Sequence, residues 1–168
     1  MSDFKGKTIL ITGGTGSFGG YFVSYLLDKG FREIRVFSRD ELKQEEMRLR
    51  LENSEIKFHI GDVRDRDSVD DVMAGGDYVF HAAALKQVPT CEFFPMQATQ
   101  TNVIGSQNVI NSAISHGVSK VVSLSTDKAV FPVNALGIPK ALMEKVVQSS
   151  SRKLSEGKTV LSLVRYGN

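Results

Sequence analysis

The chain has 168 residues, 41% of them hydrophobic and 24% charged, enough for one globular core and too few for two full domains. Its 21 Lys and Arg against 19 Asp and Glu leave a net charge of +2 spread along the sequence, so there is no basic patch of the size that nucleic acid requires. No apolar run approaches the roughly 18 residues that span a bilayer, and a single cysteine, Cys91, excludes an internal disulfide and makes no metal-ligand spacing with His59, His81 or His116; a soluble, cytoplasmic chain without a metal is expected.

Residues 8–12, TILIT, open a series of β-rich runs that recurs at 34–37, 56–60, 78–80, 121–124 and 160–164. Helix-compatible segments lie between them at 17–29, 40–51, 66–73, 93–116 and about 135–154. Strict β/α alternation requires parallel crossovers, which are right-handed and cover both faces of a sheet. The predicted fold is α/β, a doubly wound, Rossmann-like parallel sheet of six strands in the order 3-2-1-4-5-6, forming one domain over residues 1–168.

The first strand runs straight into Thr12-Gly-Gly-Thr-Gly-Ser-Phe-Gly19. Glycines at 13, 16 and 19 permit a tight turn, close approach of a pyrophosphate to backbone N–H groups, and close packing of the next helix, whose positive N-terminus faces the phosphates. With a strand before it and a helix after it, this turn predicts a dinucleotide site in which Gly13, Thr15, Gly16, Ser17, Phe18 and Gly19 line the cofactor.

The second strand ends in Ser38-Arg39-Asp40, where an NAD site usually carries an acidic residue for the ribose 2′-hydroxyl. The Arg39 fork suits a 2′-phosphate, and Lys43, one helical turn on, adds a second cation, so NADP is the expected cofactor. A surface pairing of Arg39 with Asp40 or Glu41 is the alternative, and Asp40 leaves NAD open. Gly61-Asp62-Val63 closes the third strand, where the Asp62 carboxylate either accepts from an adenine amino group or serves as a turn residue. Thr126, Asp127 and Lys128 follow the fifth strand at the carboxyl edge of the sheet, where open α/β folds bind ligands.

Taken together, TGGTGSFG, SRDE, GDVRD, HAAALKQVP, CEFFP, TNVIG, STDKAV and RYGN resemble the inverting UDP-N-acetylglucosamine 4,6-dehydratases, in the capsule and O-antigen branch of the extended short-chain dehydrogenase/reductases. The likeness runs from about Lys7 to the last residue. It implies that hydride passes from C4 of the sugar to bound NADP+, water is lost across C5 and C6, and hydride returns to C6 with a proton delivered to C5. Asp127 is then the acid for the departing 6-hydroxyl, and Lys128 the base for the C5 proton, a role that needs an unprotonated amine favoured by desolvation or by nearby positive charge. Beside them, Thr126 and Lys140 complete the implied catalytic set.

In this superfamily a Tyr ordinarily stands four residues before the active-site Lys, and here that place holds Leu136. The capsule branch usually has Met there. Lys140 can still bond the nicotinamide ribose, although Pro139 beside it could tilt it. The resemblance also places Ala82 and Ala83 against the cofactor, Lys86 and Asn168 towards the sugar, Tyr166 beside the nicotinamide, and Asn102 in a structural or cofactor-orienting role. Family members are roughly twice as long and continue into a sugar-nucleotide domain. The chain is therefore expected to bind NADP, to expose its sixth strand to homo-oligomer formation, and to lack turnover alone. A nucleotide-sugar 4-epimerase and a non-catalytic dinucleotide-binding fragment are the competing readings.

Overall fold

The computed structural model describes residues 4–154 and 158–167. Its strands are β1 (Thr8–Thr12), β2 (Glu33–Ser38), β3 (Ile56–Ile60), β4 (Tyr78–His81), β5 (Lys120–Thr126) and β6 (Val160–Tyr166). All pair in parallel, in the order β3-β2-β1-β4-β5-β6, as the alternation of the sequence requires. The helices are α1 (Ser17–Leu26), α2 (Glu41–Leu51), α3 (Arg66–Met73), α4 (Val88–Phe93), α5 (Pro95–Thr99), α6 (Gly105–Ser115) and α7 (Gly137–Arg152).

The central strands are buried on both faces because their apolar residues split by the period of two. Ile9 and Ile11 of β1 join Ile34 and Val36 of β2 under α1 and α2, where Val23, Leu26 and Met47 close one core. Leu10 faces the other way and meets Val79, Val121, Val69 and Val109 beneath α3 and α6. Met143 and Val147 of α7 extend that second layer over β6 through Ile110, Leu161 and Leu163.

One expected element is broken into pieces. The 93–116 segment, with helical pattern throughout, divides into α5, a π-helical turn over Gln100–Ile104, and α6, while α4 precedes it. Pro95 disfavours helical backbone at the residue before it, and Phe94 accordingly sits at φ −128°, ψ 60°. The first helix likewise tightens into a 3₁₀ turn, Leu27–Lys29, before Gly30 reverses the chain at φ 79°.

The strand order reverses between β1 and β4, so their carboxyl ends open a crevice that no crossover covers. Thr12 lies in register with both Phe37 and His81, which brings the turns after β1, β2 and β4 to one edge. This arrangement depends on the central strand being packed on both sides. Leu10→Ala, at a site with no exposure, should cost about 2–5 kcal/mol by urea unfolding, whereas Leu49→Ala on the exposed side of α2 should stay within about 0.5 kcal/mol. Equal losses would contradict this placement of the core.

Candidate active site

The turn after β1 is built for close approach. Gly13 has φ +69°, a region that side chains rarely adopt, and a Cβ there would lie 2.8 Å from the Ala83 backbone. At Gly19 a Cβ would lie 2.5 Å from the Gly13 carbonyl oxygen, so only glycine lets α1 pack onto the turn. Gly16 is the N-cap of α1 and carries no capping side chain, leaving the first N–H groups of that helix directed at the crevice.

A cavity of about 270 Å³ opens over this turn. Gly13, Thr15, Gly16, Ser17, Phe18 and Gly19 line it from β1 and α1, and Ser38, Arg39 and Lys43 from the end of β2 and the start of α2. Asp62, Val63, Ala82, Ala83, Lys86 and Tyr166 complete the walls. Every residue assigned to the dinucleotide from the sequence except Lys140 therefore lines one cavity.

The cations at its far end already have partners. Arg39 Nη1 lies 3.3 Å from Asp62 Oδ2 rather than pairing with Asp40 or Glu41, and Arg64 donates to the same oxygen from Nη2 at 2.6 Å and Nε at 2.9 Å. Partial burial would raise the Asp62 carboxyl, but the bonds from Arg64 and the charge of Arg39 outweigh it and hold it below the usual carboxylate range. Asp40 caps α2 through the Lys43 N–H at 3.0 Å and pairs with the Lys43 ammonium at 3.0 Å.

The turn after β4 is held by a buried hydrogen-bond chain. Ser106 donates to the Asn102 carbonyl at 2.8 Å, so its hydroxyl receives His81 Nε2, also at 2.8 Å, as a donor. Nδ1 of His81 is then the acceptor for the Thr12 hydroxyl at 2.7 Å, and Thr12 Oγ1 in turn accepts the Ala83 N–H at 3.3 Å. Burial, reinforced by the charge of Lys140, lowers the His81 pKa to about 3 and keeps the ring neutral. Asn102, with no exposure, accepts from the Leu85 N–H and donates to the Leu85 carbonyl, both at 2.9 Å. Of the two roles open to Asn102 in the sequence, the structure displays the structural one.

A second cavity, about 650 Å³, adjoins the first and shares Lys86 and Tyr166 with it. Thr126, Lys128, Leu136 and Lys140 line this second space, which places Lys140 beside the first cavity rather than in its wall. Lys140 is buried and donates from Nζ to the Leu124 carbonyl at 2.8 Å. Desolvation brings its pKa down to about 8 against the opposing charge of Glu144. Pro139 is the third residue of α7, in the first turn, where backbone donors lack intrahelical acceptors anyway. Leu136 is buried with Cys91 and Ala98, so both Leu136 and Cys91 serve packing.

Asp127 lines neither cavity. Its carboxylate is more than half exposed, accepts from Thr126 Oγ1 at 2.8 Å and from Lys128 Nζ at 3.2 Å, and is held below the usual range by the Thr126 hydrogen bond and then by Lys128. It stands ionised at neutral pH, poised to accept a proton before it can donate one. Asn168 lies outside the described residues.

Two features escaped sequence reasoning. Thr101, in the π-helical turn, lines the first cavity, and its buried hydroxyl has no partner among the described residues. Glu144 is a buried carboxylate clasped by Arg165 and Ser125. Its spacing of four residues from Lys140 was the available signal for it; Thr101 had none, because the π turn is invisible in a helical pattern. The glycine cradle and the unpartnered Thr101 hydroxyl both fit a phosphate-bearing dinucleotide in the first cavity.

Comparison with known proteins agrees with this geometry. The UDP-glucose 4-epimerase of Rickettsia prowazekii is 59% identical over 98% of the chain, which spans about half the length of that relative. Pen from Bacillus thuringiensis superposes with a TM-score of 0.96 at 40% identity, covering 99% of this chain and 51% of that one. DesIV, the dTDP-glucose 4,6-dehydratase of Streptomyces venezuelae, solved with NAD bound, has a TM-score of 0.84 at 26% identity, over 94% of this chain and 55% of that one. The Rickettsia relatives carry the 4-epimerase name rather than that of the UDP-N-acetylglucosamine 4,6-dehydratases that the motifs resemble. Residues 9–168 match the family model described as polysaccharide biosynthesis protein, and the chain belongs to that family.

Proposed function

We propose that residues 1–168 form the dinucleotide-binding domain of an enzyme that oxidises C4 of a nucleotide sugar. The observation that carries this reading is the contact between two cavities: one fits a dinucleotide, and the other, sharing its Tyr166 wall, holds Thr126, Lys128 and the buried Lys140. A bound nicotinamide would supply a hydride acceptor at C4 and later a hydride donor. Gly13, Gly16 and the N-terminus of α1 would hold the pyrophosphate, Thr101 would donate to the ligand, and Arg39 with Lys43 would face a 2′-phosphate.

C4 oxidation serves two reactions, and different observations favour each. The names of relatives 58–59% identical to the chain favour 4-epimerisation. The residues after β5 favour 4,6-dehydration. With no phenol at position 136, the ionised Asp127 would take the 4-hydroxyl proton and then pass it to the departing 6-hydroxyl, which leaves as water. Lys128 would remove the C5 proton, acidic only once C4 is a ketone, and release it to solvent, while inversion requires a proton from solvent to reach the opposite face of C5. Asp127 and Lys128 both end as they began. Epimerisation needs no such second acid–base pair, and on this chemistry we prefer the dehydratase, with UDP-N-acetylglucosamine as substrate.

NADP is the preferred cofactor, but Arg39 and Lys43 must loosen from Asp62 and Asp40 to serve it, so the margin over NAD is expected to be modest and to shrink with salt. Calorimetry should find NADP+ bound about tenfold more tightly than NAD+, and Arg39→Ala should erase the difference; equal affinities in the unmodified chain would remove the role given to Arg39. The reaction is tested by NMR analysis of products from UDP-N-acetylglucosamine and UDP-glucose, using the chain and a fusion of it to the second half of the Rickettsia relative. A 4-keto-6-deoxy product supports dehydration, a 4-epimer alone supports the second reading, and no product from either protein would contradict both.

A further inference from the structure

Glu144 sits four residues after Lys140 on α7, a spacing at which a carboxylate and an ammonium on one helix readily pair. They do not pair here. The Glu144 carboxylate is taken by Arg165, whose Nε donates to Oε1 at 2.9 Å and whose Nη2 donates to Oε2 at 2.6 Å, and by the Ser125 hydroxyl at 2.6 Å. Ser125 and Arg165 are register partners on β5 and β6, so one carboxylate ties α7 to both strands at their carboxyl ends. Lys140, left without a carboxylate partner, turns to the Leu124 carbonyl and the wall of the second cavity.

We propose that Arg165 is a positioning residue that keeps Glu144 away from Lys140, so that the Lys140 ammonium stays at the cavity instead of closing an ion pair along its own helix. Arg165 can do this because its planar fork satisfies both carboxylate oxygens at once, and Ser125 fills a remaining acceptor site. A buried carboxylate that lost this partner would seek another cation at once, since leaving it uncompensated is costly. Two further cations lie near Glu144, Lys145 beside it in the chain and Lys140 one helical turn back; Lys145 is exposed to water, and Lys140, buried like Glu144, is the one that gains from the pairing. The role of Lys140 at the cavity rests on the function proposed above, whereas the competition between Arg165 and Lys140 for Glu144 does not.

This competition predicts an effect of opposite sign in a second mutation. Among the described residues, the groups around Lys140 are Glu144 on α7, neutral His81 on β4, Lys86 after β4, Lys128 after β5 and Tyr166 on β6, and of these only Glu144 supplies a negative charge. In Arg165→Met, which keeps an apolar stem, Glu144 should swing to Lys140 and favour its charged form. The Lys140 titration, followed by NMR of ¹³C-labelled lysine and assigned with Lys140→Arg, should then move up from about 8 by on the order of one pH unit. Adding Glu144→Gln to Arg165→Met should bring it back to the starting value or below, and Arg165→Lys should leave it nearly in place.

NADP+ affinity, read on the same proteins, should fall about fivefold in Arg165→Met and recover in the double variant. A merely structural role would make the double variant as impaired as the single one or worse. An unchanged or lowered Lys140 titration in Arg165→Met, or no return in the double variant, would overturn the proposal. Failure of the unmodified chain to bind nucleotide would count against the proposed function and leave the titration to judge the competition. Should Arg165→Met not fold, Glu144→Gln alone decides: it should lower the Lys140 titration, and a rise would contradict the account.

Discussion

The site depends on one neutral imidazole at the centre of the sheet. His81 ends β4, the strand beside which the order of the sheet reverses, and its two ring nitrogens add side-chain ties to β1, its ladder partner, and to the start of α6. Through Thr12 it reaches the strand that feeds the glycine turn, and through Ser106 the start of α6 and the π turn before it that carries Asn102. Asn102 then grips Leu85 by both backbone groups, so the loop between Ala82 and Lys86 is set from both ends. Gly13 rests directly against that loop. A protonated ring could not accept from Thr12, so burial and the nearby Lys140 charge, by keeping His81 neutral, maintain the geometry of the first cavity.

A second constraint is the economy of charge at the sheet edge. Three cations near the first cavity are held by carboxylates: Arg39 and Arg64 by Asp62, and Lys43 by Asp40. Asp62 therefore serves two arginines, which leaves an excess of positive charge where a nucleotide phosphate would sit. In the second cavity the pattern is inverted. Lys140 is buried beside a carboxylate that a third group has occupied, and its own partner is an uncharged carbonyl. Such a lysine keeps a charge that a closed ion pair would neutralise, with a pKa lowered by desolvation to about 8.

How much of this could be read from the sequence follows from the range of the interactions involved. The alternation of strands and helices is local, and it was enough for the sheet order and for the glycine turn. The residues assigned to the dinucleotide come together because each follows a strand end, and strand ends in a parallel sheet share one edge. The one long helix expected over 93–116 failed because the helical pattern outweighed Pro95 and cannot register a π turn. The pairing of Arg39 with Asp62 joins β2 to β3 across 23 positions, and the grip of Arg165 on Glu144 joins β6 to α7 across 21. Such contacts appear only once the topology is known. The exposed setting of Asp127 was likewise not legible, since its place beside the second cavity rather than in its wall depends on how the turn after β5 closes.

The central claim is that the glycine turn, Thr101 and the Arg39 end of β2 form a single dinucleotide site, and a crystal structure of the 168-residue chain grown with NADP+ tests it most directly. The account predicts pyrophosphate over Gly13 and Gly16 at the N-terminus of α1, the Thr101 hydroxyl within hydrogen-bonding distance of the nucleotide, and the 2′-phosphate between Arg39 and Lys43. Nucleotide bound away from this turn, or a first cavity that stays empty at saturating NADP+, would contradict it.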